Sequence, residues 1–408
     1  MHTEWNEKFG IDVLSVNRSE RTEIPGIFTV DAAKDSLKFH AQINGYTATP
    51  LVRLTNFSKA VGVKDIFVKD ESKRFSLNAF KGLGGSYAMF CILCEHMGQD
   101  PEKTDFSYFQ AENVREKMKD VVFVTATDGN HGRGVSWAGG IFGCKVHVYM
   151  PAGSAETRAE AIRRVGPAEV TITGMNYDET VNYAKSMSEE NGWYLIQDTA
   201  WEGYEKVPGW IIQGYLTMAS ETFKQLSDAG QMPTHVFLQA GVGAMAGGVL
   251  GYIASFMGDK KPVAVVAEPK SANCIYRSAH DGFSRSIEGN PVTIMAGLNC
   301  GTPCKLTWPV LRDYAEFYLS CPDYVAAEGM RQYASGKEGE KIISGESGAV
   351  TFGALNLILT RPELKEIKDV MGLNRDSVVL LFNTEGDTDP DGYRNVVDDG
   401  DYPLPAKE

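Results

Sequence analysis

Seven short runs of β-branched and aliphatic residues recur along this chain of 408 residues, at 66–69, 121–125, 146–149, 170–173, 235–239, 263–268 and 378–382, with helical patterns between them. Strands that alternate with helices predict parallel sheets carrying helices on both faces, an α/β fold. The intervening segments agree. Residues 155–165 are rich in helix formers and are closed by Gly166, and an amphipathic pattern over 177–190 is opened by Asn176. No fixed-period repeat is present, which excludes a solenoid. At roughly 150 residues per domain the length allows two or three domains, or one enzyme with two lobes. The pattern predicts two α/β lobes with mainly parallel sheets. Residues 86–203 are expected to form a smaller α/β domain inserted into a larger one made of 1–85 and 204–408, and the polar stretch 98–120 reads as a surface excursion.

The formal net charge of −13 argues against a nucleic-acid backbone or an anionic membrane as partner. The N-terminal MHTEWNEKFG lacks a basic start and an apolar stretch, which points to the cytoplasm. The uncharged stretch 229–258 is long enough to cross a bilayer. It contains Pro233, His235, Gln239 and several glycines, and reads as strand, loop and helix start. Seven cysteines, an odd number, suggest neither a disulfide framework nor a zinc site. A Cys274–Cys300 pairing is disfavoured on compartment grounds.

Chemistry is concentrated where strands end, the position at which ligands bind in such sheets. Lys81 lies in VKDESKRFSLNAFKGLGG (68–85), between Phe80 and the glycines Gly82, Gly84 and Gly85. A lysine amine condenses with an aldehyde, and the downstream GVGAMAGG (241–248) can cradle a phosphate at a helix start. A Schiff-base lysine with a separate phosphate cradle is what pyridoxal phosphate requires. Each half alone has a plainer reading. Most lysines are solvated, and the charged stretch 69–74 upstream reads as a solvated loop. GVGxxxG also fits helix-on-sheet packing or a loose dinucleotide fingerprint, with Glu268 as its acidic partner, although a proline follows directly.

TDGNHGRG (127–134) carries more polar and titratable groups than a turn needs: Asn130 can orient a cofactor hydroxyl, Asp128 can act as a base, and His131 reads better as a structural hydrogen-bonding residue. QDTAWEGY (197–204) and SGESGAV (344–350) set Asp198 and Glu346 among small or aromatic residues. Their carboxylates suit recognition of an ammonium group, or else helix capping by Asp198 and Ser344. In NTEGDTD (383–389), Thr384 can donate to a ring nitrogen or belong to a capped turn.

With these motifs in hand, the chain resembles the fold type II, tryptophan synthase β-like, pyridoxal phosphate enzymes over most of its length, from GYTATPL (45–51) to NTEGDTD. Within them it is most similar to the ammonia-lyases acting on diaminopropionate, on the strength of TDGNHGRGVSWA, QDTAWEGY, GVGAMAGGVLGY, IISGESGAV and NTEGDTD. The resemblance implies that Lys81 holds the cofactor aldehyde and that Asn130 bonds its phenolic oxygen. Gly241, Val242, Gly243, Ala244 and Met245 would wrap the phosphate, and Thr384 would face the pyridine nitrogen and leave it unprotonated. Asp128 becomes a second catalytic base, while Thr127, Asp198 and Glu346 are the candidate substrate-binding residues.

The implied reaction is α,β-elimination of 2,3-diaminopropionate, of either isomer, to pyruvate and two ammonia by a cytoplasmic homodimer with no metal. A serine or threonine dehydratase of the same fold is the alternative. A catalytically silent ligand-binding protein is the reading from another class, against which the retention of Lys81 and Asp128 argues.

Overall fold

Each expected strand forms within two residues of the run that marks it, and among the described residues five further strands join them. In the computed structural model, which describes residues 2–18, 20–127, 129–289, 291–337 and 339–406, the strands are β1 His2–Lys8, β2 Ile11–Val16, β3 Leu51–Arg53, β4 Asp65–Asp70, β5 Val122–Ala126, β6 Lys145–Met150, β7 Ala168–Ile172, β8 Tyr194–Leu195, β9 His235–Gln239, β10 Val263–Pro269, β11 Phe317–Cys321 and β12 Val378–Asn383. The chain divides into two compact units.

The first unit comprises Met1–Thr29, Ala48–Lys73 and Met218–Glu408. Its eight-stranded sheet has the order β1-β2-β11-β10-β9-β12-β4-β3. The inner strands from β11 to β4 pair in parallel, and the antiparallel pairings lie towards the edges. Every residue of β4, β9 and β12 is buried, as expected of parallel strands covered on both faces. Apolar side chains of these strands, such as Val68, Phe237 and Leu381, share one core with Val350 and Leu357 of the helix Glu346–Thr360. Each such side chain contributes about 1.5–3 kcal/mol by leaving water.

The second unit comprises Val30–Thr47 and Arg74–Thr217. It is wider than the 86–203 marked out by the sequence and takes in Lys81. Its four-stranded sheet, in the order β7-β6-β5-β8, is parallel throughout. The helix Tyr177–Asn191 opens as expected at Asn176, whose side chain accepts from the Glu179 backbone N–H while the Glu179 carboxylate accepts from the Asn176 N–H. The stretch 98–120 is mostly exposed, as expected of a surface excursion, but it is anchored. It carries the helix Glu112–Met118, and it buries Phe106 and Phe109 against Phe142, with Phe39 stacked on Phe90 beside them. Those aromatic rings give a segment of polar composition a buried side.

The charged stretch 69–74, expected as a solvated loop, is also corrected. Lys69, Asp70 and Glu71 are buried in the first unit and Arg74 in the second; Lys73 alone of the charged residues is exposed. The stretch 229–258 forms β9 and the helix Ala244–Met257, as expected. Among the described residues no helix is long and apolar enough to cross a membrane, and the cysteines stand as thiols, Cys274 and Cys300 included.

Candidate active site

Lys81 is the first residue of the helix Lys81–His96 in the second unit. The backbone leading to it is left-handed at Phe75, Ser76 and Asn78, a conformation that costs L-residues other than glycine roughly 1–2 kcal/mol each. Stacking of Phe75 on Trp137, 4.5 Å between centroids, helps to hold it. Two of the glycines after Lys81 are required by packing. A Cβ on Gly84 would stand 2.5 Å from the Tyr215 ring, and one on Gly82 2.6 Å from Leu77 Cδ1. The least yielding constraint, because backbone atoms set it, comes from the facing helix Asn130–Phe142. A Cβ on Gly134 would lie 2.9 Å from the Lys81 carbonyl carbon and oxygen, so only glycine lets the two helix starts approach this closely.

Lys81 Nζ lies 2.5 Å from Asp198 Oδ2 and over the rings of Phe80 and Tyr215, at 5.4 and 5.9 Å. Burial pushes the Asp198 carboxyl up, but His131 and Lys81 outweigh it and hold the group well below the usual carboxylate range. His131 Nε2 donates to the Ile196 carbonyl at 2.8 Å while Nδ1 lies 3.8 Å from Asp198 Oδ2. It is the hydrogen-bonding residue anticipated, with a charge effect added.

The loop carrying Asp198 is fixed by Gln197, whose side-chain Oε1 accepts from the Ala126 N–H and the Thr125 hydroxyl at the end of β5. The Gln197 backbone N–H donates to the Tyr204 hydroxyl, and Tyr204 stacks on Trp201 at 4.4 Å. Asp198 therefore belongs to a braced loop and caps no helix. The Thr127 oxygen accepts from the Gly129 and Gly132 N–H groups, which closes the turn before Asn130, the first residue of its helix. Asp128 lies outside the described residues.

The remaining candidates belong to the first unit. Gly243 is left-handed, with φ +83°, at the N-terminal cap of the helix Ala244–Met257. A Cβ there would stand 2.6 Å from Leu311 Cδ1 and 3.1 Å from Ile275 Cδ1. The loop is tied by the Cys304 N–H donating to the Val242 carbonyl. First-turn N–H groups of a helix have no partner within it, so this start can hold an anion. Behind it, fully buried Glu268 accepts from the Ile275 and Tyr276 N–H groups at 2.8 and 2.6 Å, at the start of the helix Cys274–Asp281. Burial pushes its carboxyl up to about 8 against those bonds.

Thr384 follows β12, and its hydroxyl oxygen accepts from Gln239 Nε2 at 2.9 Å. The next residue, Glu385, accepts from the Ser347 N–H through its carboxylate and from the Gly345 N–H through its carbonyl. Segments 383–389 and 344–350 are thus hydrogen-bonded to each other, with Glu346 opening the helix Glu346–Thr360. Ser344, expected as its cap, turns its hydroxyl to the Gly345 carbonyl instead. Gln197 and Glu385 lie within the segments 197–204 and 383–389 but have no role assigned there, and Gln239 lies outside the motifs. Their place beside motif residues at strand ends is the only sequence signal they give.

This chain belongs to the pyridoxal-phosphate dependent enzyme family, whose sequence pattern matches residues 43–376. It is 47% identical over 389 residues to the diaminopropionate ammonia-lyase of Escherichia coli (strain K12), covering 95% of this chain and 96% of that protein. Crystal structures of the Escherichia coli diaminopropionate ammonia-lyase in complex with D-serine and with an aminoacrylate-PLP azomethine reaction intermediate superpose on it with TM-scores of 0.89 and 0.88. In each case identity is 45%, over 97% of this chain and 98% of the other.

Proposed function

We propose that this chain is a pyridoxal phosphate-dependent ammonia-lyase that eliminates 2,3-diaminopropionate to pyruvate and two ammonia. The observation that carries the proposal is the 47% identity to diaminopropionate ammonia-lyase over nearly the whole of both chains. When bound, pyridoxal phosphate supplies an aldehyde for a lysine and a conjugated ring that acidifies the Cα hydrogen of an attached amino acid.

The residues present suit that group. Lys81 would attach it, and once released would take the Cα proton on its Nζ, close to where Asp198 now holds that atom. Asp198, ionised throughout the ordinary pH range, stabilises the ammonium so formed. The left-handed turn at Gly243 and the N–H groups of 241–245 suit the phosphate, Asn130 its phenolic neighbour and Thr384 the ring nitrogen. Thr127, Asp198 and Glu346 would receive the substrate, whose second ammonium favours carboxylates. Asp128 would serve as the base for the D-isomer and Lys81 for the L-isomer. Thiol cysteines suit work in the cytoplasm, and we infer a homodimer.

The test is product balance. Purified holoenzyme given 2,3-diaminopropionate should release two ammonia for each pyruvate, and far less pyruvate from serine. Keto-acid release from serine or threonine with none from diaminopropionate would identify a dehydratase instead.

A further inference from the structure

We propose that Gln239 is a positioning residue that fixes the direction of the Thr384 hydroxyl, so that its hydrogen is held for donation to the cofactor's ring nitrogen and that nitrogen stays unprotonated. The inference rests on the reading of Thr384 given above and extends it to a residue with no assigned role. Gln239 ends β9 and Thr384 follows β12, and these strands are parallel neighbours in one sheet. Gln239 Nε2 lies 2.9 Å from the Phe382 carbonyl oxygen and 2.9 Å from Thr384 Oγ1. A backbone carbonyl only accepts, so the amide nitrogen must face it. The same NH2 group then gives its second hydrogen to Thr384.

An amide nitrogen cannot accept in return, so the hydroxyl hydrogen has to point elsewhere. Among the described residues no acceptor takes it, although Thr384 is only 4% exposed. A buried hydroxyl with an unspent hydrogen is an incomplete arrangement that a ligand acceptor completes. The opposite amide orientation would set the Gln239 carbonyl against the Phe382 carbonyl. The fold avoids this even though it leaves Gln239 Oε1 buried with no hydrogen bond among the described residues. A hydroxyl that donates fits a ring nitrogen with a free lone pair. Turned around, it would present its oxygen and favour a protonated ring. In this way Gln239, two bonds removed from the ligand, selects the protonation state of the ring.

The experiment loads the apoprotein of wild type, Gln239→Met, Gln239→Glu and Thr384→Ala with pyridoxal phosphate labelled with 15N in the ring. It reads the ring-nitrogen NMR signal across pH, together with cofactor affinity. Wild type should show an unprotonated nitrogen. Gln239→Met keeps the length, removes the N–H groups, and should weaken cofactor binding by about three- to tenfold, the worth of one oriented hydrogen bond. Gln239→Glu, protonated so that it still donates to the Phe382 carbonyl, accepts the Thr384 hydrogen and should move the signal towards the protonated position. If Thr384→Ala changes signal and affinity while neither Gln239 variant does, the role of Gln239 is overturned. If Thr384→Ala changes nothing, the reading of Thr384 falls and takes this inference with it. Either Gln239 variant alone suffices for the comparison should the other fail to fold.

Discussion

Lys69 Nζ lies 2.7 Å from Glu221 Oε2 with both side chains buried, and the pair belongs to a wider hydrogen-bond network. Lys69 also donates to the Thr49 carbonyl and to Gln225, while the Thr49 N–H donates to Glu221 and its hydroxyl to Glu71. Removing one partner takes from the other its direct ion-pair contact away from water. Lys69→Met should therefore destabilise the protein by about 3–5 kcal/mol, and Lys69→Met with Glu221→Met should recover much of that. Thermal unfolding of the three proteins decides it. An equal loss in single and double variants would mean that packing, not charge, matters at Lys69.

That network marks the limit of what the sequence discloses. The parallel strands were legible because both their faces are buried, which leaves continuous aliphatic runs such as VVLLF in β12. The strands β1 and β2 escaped because polar residues interrupt them, and β3 and β8 because they are two or three residues long. Lys69 looked solvated since nothing in KDESKR announces a partner 152 residues away. Lysine and glycine motifs were visible because their chemistry demands particular residue types. Gln197 and Gln239 were not, because an amide acquires its role only from the atoms around it. The glycines beside Lys81 were visible but their packing role was not, since tight packing and ligand approach ask for the same residue.

Gly243→Asp should weaken retention of pyridoxal phosphate. The substitution places a side chain on a left-handed backbone and a carboxylate at a helix start suited to phosphate. The combined strain and repulsion should cost about tenfold or more in affinity. Titration of the apoprotein measures it, and excess cofactor should partly restore turnover. Unchanged affinity would place the phosphate site elsewhere.

Glu268 gives a stability signature in pH. Its carboxyl has an ordinary value of 4.5 and stands at about 8 in the fold. Between those values the unfolded chain has lost a proton that the native state keeps. Stability from this group is therefore complete below 4.5 and falls as pH rises through about 8. A glutamine side chain cannot titrate, so the melting-temperature gap in favour of wild type over Glu268→Gln should narrow as pH rises towards about 8 and then stay level. A gap that widens with pH would show that the carboxylate is ionised in the native state.

The two isomers of diaminopropionate present their Cα hydrogens on opposite faces of a fixed ring, so one base cannot serve both. Asp128→Asn keeps the shape and removes the basicity. It should lower turnover of the D-isomer by on the order of 10²-fold or more and spare much of the L-isomer activity. Equal losses on both would assign Asp128 to substrate binding or structure.

The strand β12, last in sequence order of the twelve among the described residues, lies inside its sheet between β9 and β4. During synthesis β4 and β9 therefore leave the ribosome long before the strand that joins them exists, and each offers an open edge until then. A message cut short ahead of residue 378 would yield a chain with those edges permanently unpaired. Such a fragment should collect in aggregates and quality-control pathways rather than persist as a partly active enzyme.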